Sequence, residues 1–452
     1  MILVSALILS ISPLSAGAVA VVDPTTLIVG DTVYFGRYPQ TLITNTTGMV
    51  EGVDYVRVGT RSYKIEPIQW IVFDTDGDGP FLFSKLGLEY RVWHTTANSQ
   101  VTWADSNVRA WLNSTFFNQA FSSSDQSMIA TSEVVTPDTL PANEGGTVFP
   151  GGPDTLDKVF LLSSGEIEGA TGTGNLFTNN TARRATVTDY VFYSPNGGYR
   201  IETWWLRSQG RAVYSAWTIN DTAGALLNRN YHNTYTVTRP ALDLDLERVY
   251  FTAHNGGGFD VNLRSTMTLD PMNGDPLLTE YIVPGEPLTE PVPAPEKDGF
   301  AFTGWWTAPE GGTRWDFTTA VEGDLELFAQ WAQLYSVIYQ TGTSDAVAHM
   351  PADEMLTYCA GDAVTISNLT PSRAGYTFKG WTVVGIDPSA VVGGVFTMPA
   401  TDVVFTAVWE KDVTPPTPGL PPTGDGATLG ATAFVCLSGI MCLMGASRRN
   451  AH

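Results

Sequence analysis

Cysteine is scarce in this chain: 452 residues include three, Cys359, Cys436 and Cys442. The last two lie in an apolar stretch near the C-terminus, so no disulfide framework can brace the rest, and each domain must rely on its own core. Basic residues are also few, with 24 Lys and Arg against 46 Asp and Glu, a formal net charge of −22. That balance argues against nucleic acid or an anionic lipid surface as a main partner and favours solubility outside the cell. The five histidines, His94, His232, His254, His349 and His452, show no metal-ligand spacing, and there is neither an H-E-x-x-H nor a G-x-S-x-G segment. No catalytic residue, metal site or cofactor is assigned from the sequence, and the chain reads as a non-enzyme.

What is abundant is material for burial. Hydrophobic residues make up 43% and aromatics 11%, including 13 Trp, so the bulk should fold, with room for roughly two to four domains. At the N-terminus an apolar run from Ile2 to Leu14 is followed by small residues at A-x-A spacing up to Ala20. Residues 1–20 therefore read as a secretory signal peptide cleaved after Ala18 or Ala20, although no Lys or Arg precedes the apolar run.

The other end has three parts. Residues 412–419 are a stiff Pro-rich spacer, Leu420-Pro421-Pro422-Thr423-Gly424 follows, and residues 427–446 are mostly apolar before Arg448 and Arg449. Residues 427–446 are long enough for a transmembrane helix, with the Arg pair as its stop signal. Residues 420–452 together resemble the LPXTG cell-wall sorting signal. That resemblance implies a sortase that cuts between Thr423 and Gly424 and joins Thr423 to peptidoglycan, transient membrane contact, and the cell wall of a Gram-positive bacterium as the final location.

An internal repeat precedes the spacer. Asp298-Gly299-Phe300-Ala301-Phe302-Thr303-Gly304-Trp305 aligns with Ala374-Gly375-Tyr376-Thr377-Phe378-Lys379-Gly380-Trp381, and the runs ending at Trp331 and Trp409 align in turn. Gly followed by alternating aromatics predicts a half-buried strand, and each closing run predicts a second. The pattern, with Trp315-Asp316-Phe317 in the first copy, resembles the internalin-type B repeat, or Listeria–Bacteroides repeat, and implies small, mostly β, β-grasp-like modules at 267–333 and 334–411. The second copy lacks the Trp-Asp-Phe segment. The repeated Trp residues fit core packing or, less readily, a carbohydrate-stacking surface.

Residues 28–250 contain no repeat. Ile68 to Phe73 and Phe81 to Phe83 flank Asp74-Thr75-Asp76-Gly77-Asp78-Gly79 as a hairpin would, and Asp105 or Ser106 can cap a helix with Val108, Trp111 and Leu112 on one face. A strand is expected at Val159 to Leu162, and three more at Trp204 to Ser208, Tyr214 to Ile219 and Thr238 to Leu242. Trp205-Leu206-Arg207-Ser208 and Arg239-Pro240-Ala241-Leu242 resemble the marks of an uncharacterised domain family of Gram-positive surface proteins, and the spacing is similar to that of bacterial C-type-lectin-like domains. The expected fold is thus multidomain: an α+β, lectin-like N-terminal domain, two repeat modules and a C-terminal transmembrane helix.

Candidate sites are few. The Asp74 to Gly79 run resembles the start of a calcium loop, but Lys85 stands where a bidentate Glu is needed, which favours a plain turn. Leu242 to Glu247 alternates Leu with carboxylates, as a half-buried strand does. The aromatic strands put forward Trp204, Trp205, Tyr214 and Trp217 as a possible ligand face, with Arg207 and Arg239 as ligand contacts or partners of buried oxygens. The leading expectation is a non-enzymatic surface adhesion protein with an unknown glycan or protein ligand. The alternatives are a hydrolase using Asp243 and Asp245, and a passive wall component.

Overall fold

A computed structural model describes residues 20–413 except 75–79, 97–99, 139–147, 173–174, 352–355 and positions 213, 231 and 233. Ala18, the turn at 75–79, the spacer from 414, Leu420 to Gly424, the stretch 427–446 and Arg448 and Arg449 lie outside the described residues. The chain divides into two compact units, Met1–Gln333 and Leu334–His452.

The frame of the first unit is a mixed sheet built on two long strands, Thr32–Ile43 and Arg61–Asp74, which pair antiparallel. Their alternating burial places Val33 and Phe35 from one and Ile68, Trp70 and Val72 from the other in the core. Gly36 sits at a bulge with φ +64°, and a Cβ there would lie 2.5 Å from the Phe121 ring. Its missing side chain lets the end of a helical segment pack directly on the strand. Phe81–Ser84 and Ala241–Asp243 extend the sheet on one side, while Phe259–Leu263, Val249–Ala253 and Val21–Val22 extend it on the other. Tyr55–Val58 pairs with Arg61–Asp74.

A second sheet has the order Leu226–Asn230, Ser215–Ile219, Trp204–Gln209, Thr236–Thr238, Glu89–Arg91. One core joins it to the first, through fully buried Trp70, Phe83, Trp93, Trp103, Phe116, Trp204 and Phe251. The hairpin expected around residues 74–79 has both its arms, paired Trp70 to Ser84 and Val72 to Leu82. Val159 to Leu162 is not a strand. It touches the sheet through a single bridge from Phe160 to Ala241 and is buried on all sides.

The α+β expectation for this domain is corrected: the chain is mostly β. Ser106 does cap a helical run, its side chain accepting from Arg109 N, and Ser122 caps the next with Asp125 reciprocating. Yet the longest helical run, residues 107–120, is three short segments joined end to end with a π-helical middle, and the other α-helical segments are four to six residues long. Outside that run helical spacing of apolar residues persists only for a turn or two, whereas the strands of this domain reach 14 residues. The transmembrane helix is corrected as well, since among the described residues no helix is long and apolar enough to cross a membrane.

The first unit ends in a β module. Ser265–Asp270 pairs antiparallel with Leu278–Ile282 and parallel with the start of Leu325–Gln340, against which Phe300–Trp306 also pairs. Met267, Leu269, Leu288, Trp305 and Leu327 form its core. In the second unit, Tyr376–Val384 pairs with Val403–Lys411 around Val364, Phe396, Met398, Val403 and Phe405. Each copy contains the expected pair of strands.

Candidate functional site

The aromatic strands are internal. All residues of Trp204–Gln209 and Ser215–Ile219 are buried, because both faces of the second sheet are covered. The indole N–H of Trp204 donates to Arg183 O at 3.1 Å and that of Trp205 to Arg91 O at 2.8 Å. Trp217 lies 5.2 Å below the Arg211 guanidinium, and Tyr214 alone of the four is exposed. Trp204 and Trp205 are thus core components with satisfied polar edges.

The two marked arginines are equally engaged. Arg207 makes a two-pronged ion pair with Glu166, at 2.5 and 2.6 Å, and donates to Leu161 O and Val135 O. Arg239 lies between Phe83 and Trp204, 4.0 and 4.8 Å from their centroids, and donates to Ser84 O and Lys85 O. Complete burial pushes its pKa down to about 9. Asp243 and Asp245 do not share an open strand face. The strand ends at Asp243, which accepts a hydrogen bond from Ser132 Oγ, and Asp245 accepts from Glu247 N in a turn. Burial raises the Asp243 pKa.

A cleft of about 460 Å³ opens elsewhere on the domain, within the usual size for small-molecule sites, about 300–1,000 Å³. The long strands supply Tyr34, Gln40, Thr41, Glu66 and Gln69, the segment around the Asp189–Phe192 helix supplies Thr188, Asp189 and Arg200, and His254 directly follows the Val249–Ala253 strand of the first sheet. Tyr34 and His254 stack, centroids 3.7 Å apart. His254 Nδ1 lies 2.8 Å from Asp260 Oδ1. The carboxylate accepts, so Nδ1 carries the proton and Nε2 is the acceptor of the neutral ring.

The charges of the cleft are matched to neighbours. Arg200 Nη1 donates to Asp189 Oδ1 at 2.6 Å, Asp189 Oδ2 accepts from Leu42 N at 2.9 Å, and Glu66 accepts from Thr41 and lies 3.6 Å from Lys64 Nζ. Thr188 caps the short helix. No hydrogen bond within the described residues engages the Tyr34 hydroxyl, the Gln69 amide or His254 Nε2. Sequence reading passed over all three, having weighed His254 only for metal spacing. Among the described residues no group of three or more His, Cys, Asp or Glu could hold a metal ion.

The repeated tryptophans serve their own modules. Trp305 is buried, the Trp331 indole donates to Pro271 O at 3.0 Å, and the Trp409 indole donates to Thr341 O at 2.7 Å. In both copies a cation covers the ring that opens the first strand: Lys297 Nζ stands 5.0 Å from the Phe300 centroid, and the Arg373 guanidinium 3.5 Å from that of Tyr376.

Comparison with known proteins finds three family models along the chain. Residues 77–246 match the model of a domain of unknown function, DUF6273, residues 249–330 match the Listeria-Bacteroides repeat domain, and residues 335–413 match the divergent InlB B-repeat domain. The chain is 32% identical over 147 residues to internalin H of Listeria monocytogenes, covering 31% of this chain and 25% of that protein. Two proteins of Evansella cellulosilytica, named as membrane proteins, are 36% and 37% identical over 100 residues, 22% of this chain and 10% and 14% of theirs. The chain thus spans a quarter or less of the length of these relatives. It carries a pair of internalin-type repeats behind a domain of unknown function, an arrangement that fits an adhesion-type protein of the cell surface or envelope.

Proposed function

We propose that this chain is a non-enzymatic adhesion protein, linked by a sortase to peptidoglycan through Thr423, whose N-terminal domain holds its ligand in the cleft lined by Tyr34, Gln69 and His254. The observation that carries the binding role is the set of uncommitted polar groups around one cavity. These groups are partly exposed, so a ligand can take the place of water on them. The repeats support a surface location, and the Leu420 to Gly424 motif behind its Pro-rich spacer supports the covalent link.

Two measurements test the two halves. Mass spectrometry of wall digests should find a mature C-terminus at Thr423 bearing peptidoglycan cross-bridge residues, and recovery of intact Arg448-Arg449 peptides as the main species sinks the anchoring. Adherence of cells displaying the full chain should fall by about tenfold in the Tyr34→Ala, Gln69→Ala double variant, the effect of losing roughly two hydrogen bonds. Unchanged adherence with wild-type display levels removes the cleft from the function.

A further inference from the structure

We infer that the ligand of the cleft is an uncharged, polyhydroxylated unit, a neutral sugar; this rests on the cleft being the ligand site. The charged side chains of the wall already have partners. Asp189 uses one oxygen on Arg200 and the other on Leu42 N, and Arg200 lies 4.0 Å over Phe192 as it pairs. Glu66 is occupied by Thr41 and faces Lys64. An incoming anion would meet Arg200 with its charge already offset by Asp189 and with Glu66 nearby, and an incoming cation would meet Arg200 beside carboxylates that already have partners. Neither would find an unbalanced charge in the wall to answer its own.

The groups left over are neutral and of both polarities. The Tyr34 hydroxyl and the Gln69 amide can each donate and accept, and in the neutral ring His254 Nε2 accepts while Nδ1 donates to Asp260. Sugar hydroxyls, each at once donor and acceptor, answer such a mixed set. A wholly apolar occupant would leave these groups without water or partner, at about 1–3 kcal/mol each. Leu86, Val187 and Pro67 in the same wall, with the Tyr34 ring, offer apolar surface to the C–H faces of a sugar.

The test is calorimetric titration of the full chain with matched panels of neutral, amino and uronic-acid oligosaccharides. The expected result is that at least one neutral member binds, that its amino and uronic-acid counterparts bind about tenfold more weakly or not at all, and that Tyr34→Phe and Gln69→Ala each weaken the neutral member by several-fold while the thermal midpoint stays put. Tighter binding of a charged counterpart overturns the inference and leaves the cleft standing as the ligand site. Silence across all panels also overturns it, and if the same variants then keep full adherence, the cleft reading falls too. Capture of uncharged peptides in place of sugars counts against the sugar and for the cleft.

Discussion

At the scale of single residues, a side chain's chemistry was legible while its direction was not. Trp204, Trp205 and Arg239 sit where a strand pattern places them, but alternation implies an outward face only when one side of the sheet is open, and here both are covered. Arg239 is the sharpest case, a guanidinium with no carboxylate partner among the described residues, held by Ser84 O and Lys85 O between two rings. If planarity and the fork of donors are what matter, Arg239→Lys keeps the charge and still fails. The loss of two hydrogen bonds and of the stacked contact is expected to destabilise the domain by roughly 2–4 kcal/mol in urea unfolding. A Lys variant as stable as wild type would mean that charge alone is needed there.

At the scale of elements, the repeats were the most readable part, because each strand's signal is local: a glycine, alternating aromatics and a closing Trp. The paired strands follow, with Phe302 opposite Trp331 and Phe378 opposite Trp409. What the pattern did not announce is that Gly304 and Gly380 are bulge residues, where the ladder slips by one, with φ +123° and +118°. A Cβ on Gly380 would meet nothing within 4 Å, so Gly380→Ala isolates the cost of the backbone conformation. That cost is about 1–2 kcal/mol, and it should appear as roughly tenfold faster hydrogen exchange along Tyr376–Val384. Exchange rates equal to wild type would refute a conformational role for this glycine. The helices were legible by their caps, yet caps say where a helix starts and not how much of the domain is helical, which is how an α+β expectation arose for a β domain.

At the scale of the whole domain, the frame is made by segments far apart in sequence. Phe259–Leu263 runs parallel to Thr32–Ile43, and Val21–Val22 pairs with Val249–Ala253. The cleft inherits this: Tyr34, Gln69 and His254 all lie outside the matched residues 77–246, so no local pattern could bring them together. The two sheets are tied by a similar long-range contact, Tyr38 OH donating to Glu89 Oε2 at 3.0 Å. Burial there raises the Glu89 pKa above the ordinary 4.5, against the opposing pull of Arg91 and the Tyr38 hydrogen bond. The folded protein therefore keeps this proton to a higher pH than the unfolded chain does. The corresponding stability is fully present below about pH 4.5 and is lost as pH rises through the folded pKa. Glu89→Gln removes the titration and retains a carbonyl oxygen for Tyr38. The thermal midpoint of wild type should accordingly fall relative to that of the variant as pH is raised from 4 toward neutrality. A difference that stays constant across that range, or that shifts in favour of wild type, would show that the carboxylate joining the sheets is no more costly to ionise in the fold than in water.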